Sequence, residues 1–181
     1  MPNTALIVVD AQESFRHRPY WTDADYPAFT KNLQTLIDGC ADRGVPVVQV
    51  FHVEDEGAFS LASGHVKILA PLAIDPALVI QKRAHSALAG TSLGAWLIER
   101  GIGRIIVTGI RTEQCCETTT RHASDSGWRV DYVTEATLTF PMIHPRTGRC
   151  FAPDEIRERT ELVLADRFAR IATVDQVLND L

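Results

Sequence analysis

Three residues stand where side-chain chemistry is easiest to place. Cys115 lies in RIIVTGIRTEQCCETTTRHA, just beyond the apolar run 104–108 and in the first turn of the helix that should follow. A thiol must become a thiolate to attack a carbonyl, and a helix N-terminus favours that anion. With Thr112 as N-cap, Cys115 takes about the third helical position and turns its sulfur toward the open end of the sheet. Asp10 closes the apolar run LIVVD. A carboxylate there is costly unless it is paired or used, and beside a cysteine its use is as a general base. Lys82 closes LVIQK in a chain with 15 arginines and only 3 lysines. A cation at that point can hold a carboxylate and a thiol in their working charge states. Each residue also has a plain structural alternative: a core thiol, a turn residue, a solvated strand end. Cys116 points roughly 100° away from Cys115 around a helix and reads as core.

The elements that must position these residues alternate strand and helix from end to end. Strands are predicted at 4–9, 45–51, 78–81, 104–108 and 129–133, with a short final one at 169–173. Helices are predicted at 27–43, 91–100, 112–126 and 153–168, several closed by a following glycine. TALIVV at 4–9 is apolar throughout, the mark of a strand covered on both faces. Repeated strand–helix units imply right-handed crossovers and hence a three-layer α/β/α fold, a doubly wound, mainly parallel sheet. Sites in such sheets lie outside the carboxyl ends of the strands, where Asp10, Lys82 and Cys115 all fall. Two long segments interrupt the pattern, 52–77 and 138–153, the latter containing Pro141, Pro145, Gly148 and Pro153. Long loops in compact domains usually carry function.

Composition bounds the function classes. The chain has 181 residues, which suits one domain over 1–181. Hydrophobic residues make up 45% and charged residues 23%, ordinary values for a soluble globular protein. No uncharged apolar run approaches the roughly 18 residues needed to span a bilayer. The start, MPNTALIVVDAQ, has no basic region, so no secretory signal is expected and the cytoplasm is the expected location. Net charge is −5, which offers no general attraction to nucleic acid or anionic membranes. The four cysteines, Cys40, Cys115, Cys116 and Cys150, form no CxxC pair, so neither a disulfide framework nor a structural zinc site is expected.

Three blocks of sequence carry a family resemblance: ALIVVDAQESF, KRAHSALAGTSLGAWL and IIVTGIRTEQCCETTTRHASDSGWRV. The closing ELVLADRFARIATVDQVL also fits. Through them nearly the whole chain resembles the isochorismatase-like cysteine hydrolases, which include nicotinamidases, N-carbamoylsarcosine amidohydrolases, and ureidoacrylate and biuret hydrolases. The resemblance implies a catalytic triad of Asp10, Lys82 and Cys115. It also implies a non-proline cis peptide at 110–111, with the Arg111 and Cys115 backbone N–H groups forming an oxyanion hole. True isochorismatases lack the cysteine, so vinyl-ether cleavage is not expected. Nicotinamidases carry a metal site on an Asp-x-His motif after the second strand. This chain has VFHVEDEG there, so no metal and no cofactor are expected: His52 with Glu54 could bind a metal, but His52 reads rather as a polar pocket or surface residue.

The resulting expectation is a cysteine hydrolase acting on a C–N bond of a small amide, imide or ureido compound. The alternatives are a metal-assisted, nicotinamidase-like amidase and a non-catalytic binding protein on the same fold. Arg16, Tyr20, Trp21, Phe51 and His52 are the candidate substrate-binding residues. Arginine suits a carboxylate, and the aromatic residues supply an apolar wall. The competing expectation is that Arg16 and Arg18 pair with Asp23 or Asp25. A small molecule is the expected partner, with a second or further copies of the chain in a homodimer or homotetramer.

Overall fold

A computed structural model describes residues 3–181. In chain order it contains β1 (Thr4–Val9), α1 (Tyr26–Asp42), β2 (Val47–His52), β3 (Leu78–Lys82), α2 (Leu93–Glu99) and β4 (Arg104–Ile110). There follow α3 (Glu117–Asp125), β5 (Arg129–Leu138), β6 (Met142–Ile143), β7 (Cys150–Phe151), α4 (Pro153–Leu164), β8 (Arg170–Ile171) and α5 (Val174–Asn179). Six strands form one sheet in the order β3-β2-β1-β4-β5-β8, and every pairing in it is parallel. The chain winds outward from β1 to β3, then restarts beside β1 with β4 and winds the other way. The switch point therefore lies between β1 and β4, where crevices open in this topology.

The apolar runs explain the layering. All six residues of β1 are buried, because helices cover both faces. On one face α1 contributes Phe29, Leu33, Leu36 and Ile37, and α5 adds Val174 and Val177, against Leu6, Val8 and Ile106. On the other face α2, α3 and α4 contribute Leu93, Leu97, Ala123 and Leu164, against Ala5, Ile7 and Val107. The three-layer α/β/α architecture is thus as the alternating pattern implied.

The details depart from the sequence reading in four places. The stretch predicted as one helix over 112–126 is a π-helical turn (Thr112–Cys116) leading into α3. β5 runs on to Leu138 instead of stopping at 133, with a register shift against β4 between Val107 and Gly109. The excursion at 138–153 holds a two-stranded antiparallel ribbon, β6 with β7. α5 was not anticipated. Its capping box, Thr173 with Gln176, is legible in TVDQ, but the helix is only six residues long. It packs on α1 where Gly39 leaves room, since a Cβ there would stand 2.6 Å from Leu178 Cδ2.

One glycine brings the two halves of the sheet together. Gly109 pairs with Val9 and has φ +118, and a Cβ on it would lie 1.9 Å from the Val9 carbonyl oxygen. No side-chain movement relieves a clash with backbone. Gly109→Ala should therefore lose about 3 kcal/mol or more of stability, measured by thermal or denaturant unfolding. A melting temperature within about 2 °C of the parent would show that β1 and β4 can separate without cost.

Candidate active site

The three residues singled out in the sequence converge beyond the carboxyl ends of the central strands. Asp10 follows β1 with φ +50, a left-handed conformation that Asp tolerates better than most residues. Its N–H donates to the Val50 carbonyl at 2.9 Å, and its carbonyl accepts from the Gln12 N–H at 2.8 Å. Lys82 is the last residue of β3 and reaches across the end of β2. Its Nζ lies 2.8 Å from Asp10 Oδ2, and neither side chain is exposed. The same Nζ donates to Cys115 Sγ at 3.3 Å and to the Ala84 carbonyl at 3.1 Å. Cys115 is 8% exposed, against none for Asp10, so the sulfur is the member of the three that faces outward most.

The turn carrying Cys115 is built differently from the expected N-cap. The Gln114 and Cys116 N–H groups both donate to the Arg111 carbonyl, at 3.1 and 3.2 Å. Thr112 makes no cap. Its Oγ1 sits 2.7 Å from Thr137 Oγ1, whose proton goes to the Thr134 carbonyl, so Thr112 is the donor. The Tyr132 hydroxyl donates to the Thr112 carbonyl at 2.7 Å. The turn is therefore braced from β5 rather than capped from its own sequence. Glu113 accepts from the Thr139 hydroxyl at 2.6 Å and pairs with Arg111 at 3.0 Å. The Ile110–Arg111 peptide is cis. Cys116 is fully buried with its sulfur 3.5 Å from the Thr108 carbonyl, the core position expected of it.

The electrostatics differ from a simple helix-terminus argument. Burial lifts Asp10 above the usual carboxylate range, against the opposing pull of Lys82. Burial, reinforced by the neighbouring Asp10 charge, pushes the Cys115 thiol up to about 12, and Lys82 offsets only part of this. Burial alone would lower Lys82, but Asp10 and Cys115 outweigh it and the net direction is up. The resting thiol is thus protonated and the lysine charged. A carboxylate raised toward the thiol becomes a better acceptor for its proton.

Sequence reasoning passed over Gln12, which is fully buried two residues beyond Asp10. Its Nε2 donates to the His52 carbonyl at 3.1 Å and to Ser14 Oγ at 2.8 Å, and its Oε1 accepts from the His52 N–H at 2.8 Å. A polar amide in VVDAQ was the available signal. Of the expected substrate residues, His52 lies against the triad, with Nδ1 3.3 Å from Lys82 Nζ. Phe51 is buried one position earlier in β2. Tyr20 and Trp21 pack on Phe140 at 5.2 and 5.4 Å between ring centres, and the Arg111 guanidinium lies 5.0 Å from the Tyr20 ring. Arg16 pairs with Asp23 at 3.8 Å and sits over the Tyr26 ring at 5.1 Å, the self-pairing foreseen as its alternative. Among the described residues, no group of three or more His, Cys, Asp and Glu is placed to hold a metal, and no helix is long and apolar enough to cross a membrane.

Residues 4–174 match the isochorismatase domain family. The chain belongs to the isochorismatase family. It is 27% identical to the isochorismatase family protein YrdC of Bacillus subtilis over 97% of this chain and 95% of that one. It is 28% identical to nicotinamidase 3 of Arabidopsis thaliana over 98% of this chain and 88% of the relative. A crystal structure of an isochorismatase from Pseudomonas putida superposes with a TM-score of 0.85 at 27% identity, covering 96% of this chain and 89% of that one. The protein is accordingly an isochorismatase-family hydrolase.

The charge state of this hydrolase's resting site is measurable. With Cys115 held at about 12, the ultraviolet thiolate absorbance of the protein minus that of Cys115→Ala should show no step between neutral pH and about pH 10. A step below pH 7 would mean that a preformed thiolate–ammonium pair exists and that Lys82 prevails over burial.

Proposed function

We propose that the protein is a metal-independent cysteine hydrolase that cleaves a C–N bond of a small amide, imide or ureido compound through a thioester. The observation that carries this reading is the contact of one buried ammonium, Lys82, with both the Asp10 carboxylate and the Cys115 sulfur. A charged pair kept out of water is costly and is warranted where a reaction needs it.

The steps follow from those contacts. Asp10 takes the thiol proton as Cys115 attacks the carbonyl carbon. Charge that builds on the carbonyl oxygen is met by the Arg111 and Cys115 backbone N–H groups. One such donor is typically worth about 3–4 kcal/mol. Asp10 passes its proton to the departing nitrogen, the C–N bond breaks, and a thioester remains. Asp10 then deprotonates a water that attacks the thioester. The acid leaves, and the proton returns to the sulfur. Lys82 stays charged throughout, holding Asp10 and balancing negative charge at the sulfur. Tyr20, Trp21 and Phe51 furnish the apolar wall for the substrate. Arg16 meets an anionic substrate only by releasing Asp23. The same proposal has the protein work as a homo-oligomer, which gives cover to the exposed Ile143 and Leu162.

The relation to a plant nicotinamidase favours one competing reading, a metal-assisted amidase. The chain's VFHVEDEG, without Asp-x-His, argues against it. An ammonia-release screen across amides, ureides and hydroxamates tests the proposal. Cys115→Ala should lose about a thousandfold or more in turnover, and Cys116→Ala should keep most of it. The reverse pattern would refute the assignment of the nucleophile. Activity should survive exhaustive dialysis against EDTA. Loss on chelation with recovery on adding zinc, manganese or iron would establish the metal-assisted reading instead.

A further inference from the structure

We infer that His52 is a positioning residue for the Lys82 ammonium: its Nδ1 lone pair holds Nζ on course between Asp10 and Cys115. The inference rests on the proposed roles of those three residues.

Strand order sets the problem that His52 solves. Lys82 ends β3 and Asp10 follows β1, with β2 lying between them. Two strand spacings put their backbones roughly 10 Å apart. The lysine stem must therefore run over the end of β2. The residue there is His52, the direct register partner of Lys82. Partners in register on adjacent strands place their side chains on the same face.

Proton counting fixes what His52 does. Four groups surround Lys82 Nζ: Asp10 Oδ2 at 2.8 Å, the Ala84 carbonyl at 3.1 Å, Cys115 Sγ at 3.3 Å and His52 Nδ1 at 3.3 Å. An ammonium has three protons and no lone pair, so it cannot accept from the imidazole. His52 Nδ1 must be bare, and its ring proton sits on Nε2, 3.5 Å from Glu54 Oε1. His52, the Ala84 carbonyl and Cys115 lie in hydrogen-bond geometry and match the three protons, while Asp10 holds the ammonium by charge. Loss of the imidazole acceptor therefore frees one N–H and with it the direction of the group. The imidazole is itself well anchored. Gln12 clamps its backbone on both sides, and the Phe59 ring stands edge-on at 5.8 Å. The charged and titratable groups facing it are Lys82, Asp10, Glu54 and His85. Burial and Lys82 push the imidazole below the usual histidine range, and Asp10 and Glu54 pull back only in part, so the ring stays neutral. A protonated ring would set a donor against a donor and release the lysine.

Acylation of Cys115 by p-nitrophenyl acetate supplies a readout that needs no knowledge of the natural substrate. Single-turnover release of p-nitrophenolate gives a maximal acylation rate and a half-saturating concentration, and peptide mass spectrometry locates the acetyl group. His52→Leu should lower the maximal rate about tenfold or more and leave the half-saturating concentration within about twofold. His52→Asn, whose Oδ1 falls near the Nδ1 position, should recover to within about threefold of the parent. A His52→Leu variant with an unchanged maximal rate and a raised half-saturating concentration would make His52 a substrate contact and overturn the inference. His52→Asn no better than His52→Leu would overturn it too, since bulk and not the acceptor would then matter. Nitrogen-15 NMR of the unaltered protein tests the point without any variant. The inference requires a neutral ring protonated on Nε2 at pH 7, and a ring protonated on Nδ1, or on both nitrogens, refutes it. Failure of the parent protein to acetylate at Cys115 would count against the proposed nucleophile, and the NMR result would still decide the role of His52.

Discussion

The buried ion pair between Asp10 and Lys82 is the constraint on which the rest of the site depends. Taking a carboxylate and an ammonium out of water costs several kcal/mol for each ion, and their attraction offsets this only when the geometry holds. Removing either partner leaves an uncompensated charge, at a typical cost of about 3–5 kcal/mol. Much of the local architecture serves that geometry. The left-handed turn at Asp10 ends β1, and Gln12 ties the end of β2 to the same loop. Gly109 lets β4 lie flush with β1, so that the strand leading to Cys115 ends beside the pair. The ion pair is thus less a contributor to stability than a load that three strand ends, set in register, are arranged to carry.

That load has a chemical counterpart. A cysteine beside a lysine would ordinarily ionise early, but here burial and the adjacent carboxylate keep the proton on sulfur. The same burial raises Asp10. The two groups that exchange a proton in the proposed reaction are therefore both shifted upward, and the lysine stays charged between them. In the proposed reaction charge redistributes among three groups that are already in contact.

The sequence exposed most of this, for an identifiable reason. Long apolar strands punctuated by Gly and Pro are strong signals, and a polar residue at the end of such a strand stands out. Asp10 and Lys82 were legible on those grounds, and Cys115 through its place after β4. The π-helical turn was not legible, because its bracing comes from Tyr132, Thr134 and Thr137, far along the chain in β5. The extension of β5 to Leu138 was hidden for a related reason: VTEATL lacks a continuous apolar run, and its Thr137 is buried against that turn. The direction of the Cys115 shift could not be read locally, since helix position is visible in sequence and depth of burial is not. Arg16 shows the limit for substrate residues. Its type and place suggested an anion, but Asp23 is close enough to occupy it.

The centrality of β1 has a consequence for how the chain comes into being. Its neighbour on one side, β2, follows within about forty residues, but Thr4 finds its partner on the other side only at Arg104. At a synthesis rate of about 5–20 residues per second, that edge of β1 waits roughly 5–20 s for its mate. During that interval an all-apolar strand offers a free row of backbone donors and acceptors, the usual template for pairing with the wrong chain. Asp10 and Lys82 both lie in the first half of the chain, whereas the Cys115 thiol arrives later, in the turn just after the strand that closes the gap. The exposed edge of β1 and the missing Cys115 thiol thus come to an end together, as β4 and the turn behind it emerge.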